Sequence, residues 1–92
     1  METIKINLSL YQHSLLIQIR FVDIDKAGQV NNSTLLSYFE IGRLEFLIEI
    51  IGRENDWDRR GIVIARSEID FLEPVYIQDK TKVYSRVAEL GN

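Results

Sequence analysis

From Ser33 to about Ile51 the chain carries one sustained apolar pattern of helical period, and no other part of its 92 residues does. Leu36, Phe39, Phe46, Leu47 and Ile50 recur at the three-and-four spacing that gathers one face of a helix, while Glu40, Glu45 and Glu49 lie largely off that face. A chain this short that commits so much of itself to one helix must wrap its remaining segments around it. Gly42 falls mid-helix, where glycine costs about 1 kcal/mol relative to alanine. Its presence predicts that something packs closely against the helix there. Gly52 is a natural C-terminal stop.

The flanking segments read as strands. Ile4, Ile6, Leu8 and Leu10 alternate with Lys5, Asn7 and Ser9, the period of two expected of a half-buried strand. A second alternating run goes from Leu15 or Leu16 through Ile17, Ile19 and Phe21, with Gln18 and Arg20 facing away. Between the two, Gln12-His13-Ser14 reads as a polar interruption, and His13, the only histidine, as solvated surface without a role. Beyond the helix, Arg53 to Gly61 is a polar connection with Trp57 as a loop anchor. Ile62 to Phe71 is rich in β-branched and aromatic residues, and Glu73-Pro74 interrupts it. Lys80 to Leu90 then sets Val83, Ser85 and Val87 against Lys82, Tyr84 and Arg86. The order strand, helix, strand, strand predicts a single α+β domain over 1–92, with a sheet packed on one long helix.

Bulk properties exclude several classes. The net charge of −3 and the scattered distribution of eleven basic residues argue against nucleic acid. With no cysteine there is neither a disulfide nor a thiolate, and with one histidine only a carboxylate metal site could form, for which the loop carboxylates lack the usual spacing. No segment has the pattern of a signal peptide or a membrane span, so a cytoplasmic protein without membrane contact is expected.

The most concentrated chemistry lies just before the helix, in Asp23-Ile-Asp-Lys-Ala-Gly-Gln-Val-Asn-Asn32. One reading is architectural: Asp23 and Asp25 form turns, Gly28 supplies a positive φ, and Asn31 or Asn32 caps the helix. The other is catalytic. A carboxylate beside the unpaired N–H groups of a helix start can promote attack on a carbonyl and stabilise the oxyanion that results.

Arg20-Phe-Val-Asp-Ile-Asp-Lys-Ala-Gly-Gln-Val-Asn-Asn, followed after two residues by Leu35-Leu-Ser-Tyr-Phe-Glu-Ile-Gly-Arg-Leu-Glu-Phe-Leu47, resembles the signature of the hotdog-fold acyl-CoA thioesterases. The similarity is to the branch typified by 4-hydroxybenzoyl-CoA thioesterase, whose motif runs roughly D-x-D-x-x-G-H-V-N-N, an aromatic, then Y-F-E-x-x-R. Glu68 to Val75 and Val87 to Gly91 resemble the next two strands of that family.

The resemblance implies a hotdog-like antiparallel sheet packed around one long central helix, shortened by about two C-terminal strands, with a thioester bound at a dimer interface. It implies Asp25 as the catalytic carboxylate, nucleophile or general base, with Gln29 and Asn32 beside it. Backbone N–H groups at Asn31 and Asn32 would polarise the thioester carbonyl, and Leu35 and Phe39 would line the substrate site. Asp23, Gly28, Glu40 and Arg43 match motif positions of architectural character, Glu40 and Arg43 as an i, i+3 ion pair. Two residues depart from the pattern: Gln29 stands where histidine is usual and cannot take a proton near neutral pH, and Leu35 stands where an aromatic is usual. A carboxylate serving as base also needs burial to become basic enough. The expectation is an acyl-CoA thioesterase without cofactor or metal, a homodimer or higher oligomer, whose partner is an acyl-CoA or related thioester. The alternatives are a catalytically silent acyl-binding or protein-assembly module, and an assembly protein that keeps the motif as a relic. Arg59 and Arg60 are available for coenzyme A phosphates, although a solvated loop accounts for them as well.

Overall fold

The computed structural model describes residues 6–52 and 64–88. In chain order it contains a 3-10 turn Leu8–Leu10, strand β1 His13–Ile17, a second 3-10 turn Phe21–Asp23, helix α1 Asn32–Ile51 and strand β2 Thr81–Ser85. The two strands pair antiparallel in a register running from His13 opposite Ser85 to Ile17 opposite Thr81. The long helix packs on this two-stranded sheet, the hotdog-like arrangement expected from the sequence.

Alternation fixes the inward face. Leu15 lies opposite Val83 and Ile17 opposite Thr81, and Ile17 and Val83 are buried against the helix. They join Val30 and Tyr38 in the core, with Leu15, Ile19, Ile24, Leu35 and Val75 packed around them. Val83 sits directly over Gly42. A Cβ at position 42 would fall 2.8 Å from the Val83 Cβ and closer still to its Cγ1. The mid-helix glycine therefore marks the close approach that its cost predicts.

The buried stripe of α1 differs from the one expected. Tyr38, Gly42 and Phe46 are buried and Leu35 half-buried, whereas Leu36, Phe39 and Ile50 are exposed. Of the expected stripe only Phe46 lies in the interior, with Leu47 half-buried. The helix is apolar around most of its circumference, so several stripes satisfy the period. The one that turns inward is the one whose glycine lets the sheet come near.

Two further expectations are corrected. The described part of the N-terminal run is a 3-10 turn rather than a strand. The Asn7 Oδ1 accepts from the Ser9 N–H at 3.1 Å and the Ser9 hydroxyl at 2.6 Å, a local bonding pattern that competes with extended pairing. Ile6, Leu8 and Leu10 are consequently exposed. The segment 64–71 forms no strand and is exposed throughout, since β propensity is realised only where a neighbouring strand pairs with it. Ile62, Val63, Trp57, Arg59 and Arg60 lie outside the described residues.

His13 is also placed differently. It shares the parity of Leu15 and Ile17, so its ring turns inward, with its centroid 5.6 Å from that of Phe46. Its Nε2 lies 3.4 Å from an oxygen of Glu49, and its Nδ1 is buried without a hydrogen-bond partner. At its C-terminal end α1 stops at Gly52, with φ 98°, whose N–H bonds the Ile48 carbonyl at 2.7 Å. No helix among the described residues is long and apolar enough to cross a membrane.

Candidate active site

The polar decapeptide folds into a tight hairpin that delivers the chain to α1. Ile24 pairs with Val30, the Asp25 N–H donates to the Gln29 carbonyl at 2.8 Å, and the Asn31 N–H donates to the Asp23 carbonyl at 3.2 Å. The Gly28 N–H returns to the Asp25 carbonyl at 3.1 Å. Gly28 has φ +79°, so the turn closes through a glycine bulge that a side chain would strain.

Asp25 stands at the mouth of this hairpin, exposed to solvent. Its Oδ1 accepts from the N–H of Ala27 at 2.9 Å and from the N–H of Gln29 at 3.1 Å. Among the described residues nothing bonds its Oδ2. The architectural and chemical readings of Asp25 thus use different oxygens.

Asp23 is the opposite case. It is 3 % exposed and saturated with donors. Oδ2 accepts from the Tyr38 hydroxyl at 2.6 Å and from the Arg20 N–H at 3.0 Å, and Oδ1 accepts from the Arg20 guanidinium at 3.0 Å. The Tyr38 hydrogen bond, followed by those of Arg20, holds the Asp23 carboxyl down at about 2. Burial, reinforced by the adjacent carboxylate, pushes the Tyr38 phenol up to about 12. Arg20, bonded to the same carboxylate, is raised above its ordinary value. Asp23 is an anchor tying the hairpin to the second turn of α1.

The helix begins at Asn32, one residue earlier than its apolar pattern suggests. Asn31 occupies the N-cap position with φ −61° and ψ 145°, but its side chain makes no capping bond. The Leu35 N–H reaches the Asn31 carbonyl at 2.9 Å, so the N–H groups of Asn32, Ser33 and Thr34 precede the helical ladder. Asn31 and Asn32 are both exposed.

The other motif residues divide between two faces. Gln29 is half-buried beside Asp25, and its Nε2 donates to the Tyr76 hydroxyl at 3.4 Å. Leu35 packs on the core side. Phe39, Glu40 and Arg43 lie together around the helix, with Leu36, along an open groove bordered by Ile64 and Ile69. There Arg43 and Glu40 form an ion pair of 2.7 Å. Phe39 thus lies on this groove with the Glu40–Arg43 pair. Tyr76 is the site neighbour that sequence reading missed, and Tyr38, present in the motif, was given no role. Tyr38 could have been found from its place one helical turn before Gly42 on the inward stripe. Tyr76 follows a proline break, and only the fold brings it to Gln29. No group of three His, Cys, Asp or Glu side chains that could hold a metal ion occurs among the described residues.

With this geometry in view, comparison with known proteins gives a consistent picture. The chloroplastic acyl-acyl carrier protein thioesterase ATL3 of Arabidopsis thaliana is 33 % identical over 78 residues, spanning 83 % of this chain and 41 % of that protein. A crystal structure of a thioesterase complexed with coenzyme A and Zn, from Thermus thermophilus, superposes with a TM-score of 0.74 at 35 % identity, over 88 % of this chain and 63 % of that one. The chain thus spans less than two thirds of the length of either relative. The sequence profile of the thioesterase-like superfamily matches residues 19–92, which include the hairpin, the whole of α1 and β2. The chain belongs to the thioesterase-like superfamily.

Proposed function

We propose that the protein hydrolyses a thioester, with Asp25 as the reacting carboxylate and the first N–H groups of α1 as the oxyanion site, in the manner of the 4-hydroxybenzoyl-CoA thioesterase branch. The observation that carries this reading is the division of labour at Asp25: two backbone N–H groups grip Oδ1, and Oδ2 is left for chemistry. Asp25 and the N-cap Asn31 are on opposite arms of one hairpin, offset by two residues, roughly 7 Å of extended chain. The proposed pose sets the thioester carbon near the carboxylate and its oxygen toward the helix start.

As general base, Asp25 takes a proton from water as the water oxygen bonds to the thioester carbon. The developing oxyanion accepts hydrogen bonds from the helix N–H groups. Collapse of the intermediate breaks the C–S bond, and the proton leaves with the thiol. As nucleophile, an Asp25 oxygen bonds the acyl carbon and the thiolate is expelled; water then cleaves the mixed anhydride, releasing the acid and the free carboxylate, and the water's second proton goes to the thiol. Acyl-CoA and acyl-acyl carrier protein esters are the substrate classes that the two relatives suggest.

A second reading has one specific observation in its favour. Asp25 is exposed, and the position where histidine is usual holds Gln29, which supports a silent acyl-binding or assembly module built on the same fold. The deciding experiment measures free thiol release from a panel of acyl-CoA and acyl-acyl carrier protein esters by the parent and Asp25→Asn. Hydrolysis by the parent that the variant loses supports the enzyme; no release from any ester supports the binding module.

A further inference from the structure

Backbone pairing at the hairpin places three side chains in one row that the family motif does not span. Ile24 pairs with Val30, so Asp25 lies across from Gln29. Gln29 in turn pairs with Tyr76, framed by the Val30 N–H on the Val75 carbonyl at 2.7 Å and the Ile77 N–H on the Gly28 carbonyl at 3.3 Å. That pattern makes Gln29 and Tyr76 a non-hydrogen-bonded pair, the kind in which opposed side chains stand closest. Residues directly across a ladder point to the same face, and neighbouring rows point to opposite faces.

The rows sort accordingly. Ile24, Val30 and Val75 all pack into the core. Asp25, Gln29 and Tyr76 therefore share the outer face, and the Gln29 Nε2 bond to the Tyr76 hydroxyl follows from that placement. Tyr76 is held in turn from its own backbone, its N–H donating to the Asp79 carboxylate at 2.9 Å.

We infer that Tyr76 is a positioning residue of the candidate site: its phenol oxygen holds the Gln29 carboxamide beside Asp25, so that the amide meets the thioester, or the attacking water, in a fixed orientation. This rests on the thioester reading. An amide cannot exchange a proton near neutral pH, so what Gln29 contributes depends on where it points. A side chain with that much rotamer freedom needs an external partner to point consistently. The 3.4 Å bond is long, as such bonds commonly are before substrate tightens them. Tyr76 comes from the segment after Pro74, remote in sequence from the hairpin, so its supporting part is fixed by the tertiary fold.

The test is a double-mutant cycle of Tyr76→Phe and Gln29→Ala, read by steady-state kinetics and by calorimetric binding of an acyl-CoA analogue whose thioester sulfur is replaced by methylene. Tyr76→Phe keeps the ring, so the melting curve serves as the check on folding. The expected result is about a tenfold fall in kcat with KM little changed, and no further fall when Tyr76→Phe is added to Gln29→Ala. Undiminished hydrolysis by Tyr76→Phe, or effects that simply multiply in the double variant, would overturn the inference while leaving the thioester reading standing. If the parent hydrolyses nothing but binds the analogue, the thioester reading fails alone. The positioning role then survives only if Tyr76→Phe weakens that binding and does so through Gln29. If the parent neither hydrolyses nor binds, both fail.

Discussion

The hydroxyl of Tyr38, on the second turn of α1, lies 2.6 Å from Oδ2 of Asp23, at the foot of the hairpin that carries Asp25. This bond, with the three from Arg20, fixes how the hairpin meets the helix. Tyr38→Phe removes a donor from a buried carboxylate and leaves the ring in place. We expect it to lower the melting temperature by about 5 °C or more. Calorimetry of the two proteins at neutral pH measures the difference, and an unchanged melt would show that the bond does not tie the elements together.

The same carboxylate sets an acid limit. Asp23 is held below its ordinary 3.8, at about 2. A carboxyl depressed in the folded state lends stability that is present above the unfolded value and is lost as pH falls through the folded one. The stability advantage of the parent over Asp23→Asn should therefore be full above about pH 4 and shrink toward pH 2. Urea denaturation across that range tests it; a constant gap would mean that folding does not depress the Asp23 carboxyl.

Gly42→Ala pits local propensity against packing. Alanine favours the helix by about 1 kcal/mol, but its methyl meets the Val83 side chain. We expect a net loss of about 1–3 kcal/mol, partly recovered when Val83→Ala is added, because the two changes share one contact. A more stable Gly42→Ala protein in chemical denaturation would show that helix and strand can separate freely.

Gln29→His restores the residue usual at this motif position. On the thioester reading it should raise hydrolysis by about 10-fold to 1,000-fold, the range for a positioned proton-transfer group. Thiol release followed from about pH 5 to 8 is the measurement, since a histidine contribution should titrate within that window. No gain in a folded variant of an inactive parent would favour the silent module.

Assembly is the remaining prediction. Among the described residues the sheet has two strands, and α1 carries a second apolar surface with Leu36, Phe39, Leu44 and Ile50 exposed. We expect a homodimer or higher oligomer that covers this surface. Sedimentation at micromolar concentration reads it directly, and a stable monomer with a cooperative melt would refute the expectation.

Much of the fold was legible because period alone determines it. Of the alternating run from Leu15 to Phe21, the part up to Ile17 reappears in β1, while Phe21 lies in a 3-10 turn and is exposed; part of the run from Lys80 reappears as β2 and the helical run ending at Gly52 as α1. What period leaves open is which stripe turns inward when apolar residues surround a helix. Gly42 carried that information, but only a strand lying on it makes it visible. The parity of His13 with Leu15 pointed to the interior, while its polarity suggested the surface, and parity won. At Leu8 and Ile69 the reading failed for a shared reason: alternation and β propensity have no effect without a partner strand. In the candidate site the motif located Asp25, Gln29 and the helix start. Tyr76 stayed hidden because a lateral pairing between distant segments leaves no local trace.

The turn at Asp25 has an evolutionary corollary. One oxygen of that carboxylate shapes the loop, and asparagine offers an equivalent oxygen in the same place. On the thioester reading, a single Asp-to-Asn codon change silences the chemistry and leaves the turn in place. On that reading, passage from hydrolase to silent module needs no unfolded intermediate. A lineage built on this hairpin can cross between the two occupations in one step, and a second such change can bring it back.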